Sequence, residues 1–121
     1  MGAAHFIVLE REIDGLGTMI DGKSLSRHMK SLDAAARTLG VRPLSEFLSM
    51  APESLAGLID GVDAVGLPSL RQFSAQDGLS TIRALLPVPE AQPAIRDLQE
   101  CERILSVAAQ HGVGWHFEID F

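Results

Sequence analysis

The stretch that most constrains this chain is its end, residues 113–121 (VGWHFEIDF). Apolar Val113, Trp115, Phe117, Ile119 and Phe121 alternate there with Gly114, His116, Glu118 and Asp120. A period of two belongs to a strand with one buried face and one polar face. Three of the six aromatic residues of the chain fall inside it. Its natural partner is residues 3–9, whose Phe6-Ile7-Val8-Leu9 is apolar at every position, the pattern of a strand covered on both faces. Both ends of the chain are therefore expected in one sheet.

Helical patterns fill much of the rest. After a charged, glycine-rich loop over 10–17 and a short edge strand at Thr18-Met19-Ile20, Asp21-Gly22 reads as a turn. Ser24 is expected to cap a helix running to Leu39 and ended by Gly40, with Leu25, Met29, Leu32, Ala36 and Leu39 on one stripe. Pro43 opens a short helix with Leu44, Phe47 and Leu48. Residues 50–70 are broken by Pro52, Gly57, Gly61, Gly66 and Pro68; a helical turn or two at 53–59 is the only regular structure expected there, in a stretch long enough to carry binding. Ser74 with Asp77 resembles a capping box before a helix through Leu79, Ile82, Leu85 and Leu86, closed by Pro87 and Pro89. The longest helix is expected from Pro93 to His111, capped by Gly112. No internal repeat or linker interrupts the 121 residues, so the expectation is a single α+β domain in which a small sheet containing both terminal strands packs against about four helices.

Composition narrows the function. Hydrophobic residues make up 46% of the chain and mean hydropathy is +0.17, high for so small a domain, which points to an apolar interface and to a homodimer. No apolar run reaches the ~18 residues of a membrane span, and the first nine residues lack the basic start of a signal peptide, so a cytoplasmic protein without membrane contact is expected. Cys101 is alone and sits in a helical pattern, which leaves no disulfide framework and reads as a small core residue. A net charge of −6 argues against nucleic acid as a partner and suits a basic protein partner. The charge is uneven: Lys23, Arg27, Lys30, Arg37 and Arg42 against the single Asp33 give that stretch +4, and the remainder carries −10. The basic face is expected to be solvated or to form an anion or partner patch.

Two motifs bear on chemistry. Residues 17–24 (GTMIDGKS) match G-x-x-x-x-G-K-[ST], the phosphate-binding loop, in which backbone amides and a lysine hold phosphate oxygens and the hydroxyl binds magnesium. Against that reading, Met19 and Ile20 fill the loop, Asp21 would repel a nucleotide, and the preceding strand ends well before Gly17. The favoured reading is a turn followed by a helix cap, which leaves Lys23 and Ser24 as binding candidates together with Arg27 and Lys30. The second motif is the row His116, Glu118 and Asp120, spaced about 6.7 Å apart along one strand face with His5 placed across from it, which offers nitrogen and oxygen ligands to a divalent metal. The same alternation is what the wet face of a sheet looks like, and that reading is preferred, so no cofactor is expected. No G-x-S-x-G elbow is present, and Met19, Met29 and Met50 read as core.

FIVLERE at the first strand, DGKSL before a helix, GVRPLSEF, GLSTIRALL and the closing GVGWHFEIDF together resemble a group of short bacterial proteins with no assigned activity. The resemblance covers most of the chain and implies that DGKSL is helix entry. It transfers no catalytic residue. The expectation is a non-enzymatic protein-binding domain of the bacterial cytosol, such as an immunity-type or regulatory interaction protein. The alternatives are a small metal-dependent enzyme or ligand-binding domain on the polar face of the last strand, and nucleotide binding at residues 17–24.

Overall fold

The structure, a computed structural model, describes residues 3–49 and 71–120. Strands β1 (Ala4–Leu9) and β2 (Trp115–Asp120) pair antiparallel, with Ala4 opposite Asp120 and Leu9 opposite Trp115. The described residues also form four α-helices, α1 (Lys23–Arg27), α2 (Met29–Leu39), α3 (Ala75–Leu85) and α4 (Ile95–Gln110), and 3-10 turns at Leu44–Phe47 and Pro89–Ala94. This is the expected α+β architecture, with both terminal strands in one small sheet. The expectation for 50–70, and the residues Met50 and Phe121, lie outside the described residues.

β2 is the central strand. One edge pairs with β1; on the other, Trp115 exchanges backbone hydrogen bonds of 2.9 and 2.7 Å with Phe73, and the Ser49 N–H donates to the Phe117 carbonyl at 2.9 Å. Directly opposed residues share a face. His5, Ile7, Leu9, Trp115, Phe117 and Ile119 therefore lie on one side, and Ala4, Phe6, Val8, His116, Glu118 and Asp120 on the other. β1 is not sealed on both faces as its composition suggests: His5 and Ile7 are buried, while Phe6 and Val8 remain half-exposed.

Trp115 anchors the core side. It is 0% exposed, stacks on Phe47 at 4.9 Å between ring centroids and meets the edge of Phe117 at 4.8 Å. Its indole N–H donates to the Ser74 carbonyl at 3.1 Å, so the one polar atom of the ring is satisfied inside the core. The ring also lies against the backbone of α3 at Gly78, where an added Cβ would come within 2.4 Å of Cζ2. A glycine inside a helix costs about 1 kcal/mol relative to alanine, and here it makes room for the largest side chain of the core.

Ser74 caps α3 as expected, its hydroxyl accepting from the N–H groups of Gln76 and Asp77. Ser24 does not cap a helix. Gly22 precedes α1 in a left-handed conformation, and the Leu25 N–H is taken instead by the buried carboxylate of Asp97 on α4, at 3.0 Å. The buried Asp33 of α2 serves the 3-10 turn in the same way, accepting from the Ser45 N–H at 3.2 Å. The single helix expected over 24–39 is broken at His28, with φ −107° and ψ 12°, so that α1 keeps its amide on Asp97 while α2 buries Leu32 and Ala36. Leu39, at the end of that stripe, is 46% exposed. The last helix starts at Ile95 rather than Pro93, and Pro89–Ala94 before it form a 3-10 turn.

Replacing Gly78 with alanine is expected to lower stability by about 1–2 kcal/mol in urea unfolding, the overpacking against Trp115 outweighing the gain in helix propensity. An unchanged or raised urea midpoint would show that the indole can move aside.

Candidate functional site

Residues 17–22 are the stretch on which the candidate chemistry of the sequence converges, and the structure pins them on both sides. The Gly22 carbonyl accepts the His5 N–H at 3.2 Å from the free edge of β1, and the Ser26 N–H at 3.1 Å. The Gly17 carbonyl accepts from the Arg103 guanidinium of α4 at 3.2 Å. The edge strand expected at Thr18-Met19-Ile20 does not form; the stretch lies beside β1 without a ladder. β1 ends at Leu9, eight residues before Gly17, so no strand runs into the loop. Gly22 has φ 72°, and a Cβ there would fall 1.9 Å from the His5 carbonyl oxygen. The second glycine of the phosphate-loop pattern thus has a packing requirement of its own, as helix entry against β1.

The candidate residues fall into two separate groups. Lys23, Arg27 and Lys30 are exposed on α1 and α2, without an ion-pair partner among the described residues. Ser24 is half-buried and faces a hollow shared with Asp21, Pro93 and Arg96. The other group lies on the sheet. His116 is 0% exposed, with Nδ1 at 3.0 Å from Gln72 Oε1 and Nε2 at 2.7 Å from Glu118 Oε2. Glu118 is half-buried and Asp120 exposed. The row expected on the wet face is therefore wet only toward its end, because Gln72 covers the imidazole. His5 does not lie across from the row: it opposes Ile119 on the core side, edge-on to Phe117 at 5.7 Å. Among the described residues no group of three or more His, Cys, Asp or Glu side chains is close enough to hold a metal ion.

The contacts around this stretch were not legible in the sequence. His5 Nδ1 and the Ser26 hydroxyl are hydrogen-bonded, although 21 residues separate them, and among the described residues no carboxylate hydrogen-bonds the ring. The pair ties β1 to α1. Burial pushes the His5 imidazole below its usual range, with the charge of Asp33 opposing that shift in part. Cys101 is buried as expected, and burial, reinforced by Asp97 and Glu100, pushes its thiol far up, so it is no nucleophile. Among buried side-chain polar atoms of the described residues, none lacks a hydrogen-bond partner.

Met19 departs furthest from expectation. Its sequence context reads as core, yet the residue is 89% exposed, while Ile20 beside it packs against the core. It stands on a ridge between two open hollows. The first, about 710 Å³, lies toward α4 and includes Asp21, Arg96 and Glu100; the second, about 480 Å³, lies toward the sheet and includes Phe6, Asp21, Glu118 and Asp120. Compared with known protein families, curated proteins and solved structures, the chain matches none of them.

Two outcomes test this account. Gly22→Ala is expected to destabilise the fold by on the order of 2–4 kcal/mol, from the left-handed φ and the collision with His5, whereas Lys23→Ala stays within about 0.5 kcal/mol; urea unfolding separates them. The folded state disfavours protonated His5, so the unfolded chain takes up more protons as pH falls through the usual histidine value of 6.5. Stability should then decline below about that pH, and His5→Asn should flatten the decline, as read from thermal melts between pH 7.5 and 5.

Proposed function

We propose that this chain is a protein-binding domain without an enzymatic activity of its own, acting on a basic partner in the manner of an immunity-type or regulatory interaction protein. The observation that carries this reading is Met19. Among the described residues, which bury Trp115, Phe47 and Phe117 completely, the large apolar residue most exposed to solvent stands on a loop fastened at Gly17 and Gly22. A long, flexible thioether on a fixed ridge is well suited to enter a recess on another protein. The overall charge of −6 supports a basic partner. Among the described residues, both ring nitrogens of His116 are engaged by protein oxygens and the buried Cys101 thiol is held protonated, which favours a binding role over catalysis for these two groups. No helix among the described residues is long and apolar enough to cross a membrane.

Met19→Ser should leave the melting temperature within about 3 °C of the parent, as befits an exposed position. It should also reduce partner protein recovered by pull-down from an extract of the producing cells by at least about tenfold. A pull-down that recovers no specific partner with the parent chain would sink this reading.

A further inference from the structure

We infer that the hollow between Met19 and the two strand ends is the seat of a lysine or arginine from a partner segment, whose neighbouring apolar residue rests on Met19. The inference rests on the protein-binding reading and goes further by fixing the place and the chemistry. The two hollows beside Met19 differ in charge. In the first, Arg96 contributes to the wall and Glu100 is already engaged at 2.6 Å by Arg103, so its acidity is largely answered from within the protein. In the second, Asp21, Glu118 and Asp120 contribute carboxylates and no lysine or arginine lines the wall. Asp21 and Asp120 are exposed and have no ion-pair partner among the described residues. Glu118 is held by His116 through Oε2, which fixes its position at the edge of the hollow. Phe6, half-exposed, adds an apolar wall.

That combination fits a long cationic side chain, whose aliphatic stem lies on an aromatic ring while its charged end meets carboxylates. A metal ion fits it poorly, because the three carboxylates are spread beyond the reach of one small cation. A second copy seated on a twofold axis through this hollow fits it poorly too, because it would bring Asp21, Glu118 and Asp120 against the same acidic residues of the other molecule.

The test takes its probes from a peptide library displayed on phage and panned against the intact protein. Recovered peptides should be enriched in lysine or arginine adjacent to leucine, phenylalanine or methionine. By fluorescence anisotropy they should bind roughly tenfold more weakly to Met19→Ser, and roughly tenfold more weakly to the double variant Asp21→Asn, Asp120→Asn, at about two- to fivefold per exposed charge. Their affinity should fall as salt is raised. Both variants alter exposed side chains, and Glu118 is left in place because His116 is buried behind it. Peptides that need Met19 but show no basic preference and ignore the double variant would overturn the cation seat and leave the protein-binding reading standing. Peptides insensitive to both variants would overturn its location. Self-association of the free protein that Met19→Ser abolishes, seen by sedimentation, would assign the surface to a second copy instead. If no peptide is recovered, the inference falls; the protein-binding reading falls with it only if the pull-down is also empty.

Discussion

The fold depends on a place for the indole of Trp115. A ring of that size can be buried in a chain this short only if backbone approaches it on one side and other rings fill the rest. Gly78 supplies the first, presenting α3 without a Cβ, and Phe47, Phe73 and Phe117 supply the second as a connected aromatic cluster. Two arginines close the cluster toward solvent, Arg42 over Phe47 and Phe73 at 5.4 and 5.7 Å, and Arg71 over Phe73 at 5.0 Å. The backbone of the same tryptophan carries the bridge to Phe73. Side chain and main chain of one residue thus fix three otherwise separate parts of the chain: the 3-10 turn, the entry to α3 and the sheet.

Around that cluster the polar groups are settled by residues far apart in sequence. Asp97 holds the start of α1, Asp33 holds the start of the 3-10 turn, and the Thr81 hydroxyl donates to the Arg42 carbonyl at 2.7 Å. An amide at a helix start must find an acceptor, and a buried carboxylate is a strong one. Each such contact also orients two elements against one another, which makes helix docking more specific than hydrophobic packing alone. The same economy runs through the candidate site. Gly22 and Gly17 fasten the ridge by their carbonyls, so the ridge offers Met19 from a fixed base.

Much of the fold was legible in the sequence because periodicity reports it directly. The alternation over 113–121 gave the strand and its buried face, and Ser74 gave the cap of α3. What escaped was decided by contacts between distant residues. Ser24 looks like a cap until Asp97, 73 positions later, takes the amide that a cap would serve. His116 looks wet until Gln72 covers it, and Met19 looks like core until its neighbour Ile20 is seen to take the inward position. The phosphate-loop pattern is the opposite case, a local match whose second glycine answers to the carbonyl of His5. The candidate site lay largely beyond sequence reasoning, because its hollow is assembled from the first strand, the 18–21 stretch and the last strand.

β2 follows every other described element in sequence, and that sets an order of events. α3 and α4 are neighbours in sequence and pack on each other, so they can associate early. The central strand and its tryptophan come after every other described element, and each residue of β1 waits for a partner more than a hundred positions away. Contacts that distant are slow to form because loop closure precedes their reward. A chain emerging from the ribosome therefore holds Phe47 and Phe73 without the centre of their cluster until residues 115–120 have followed. Those rings are most exposed to water, and to those of other copies, in the interval before that strand docks.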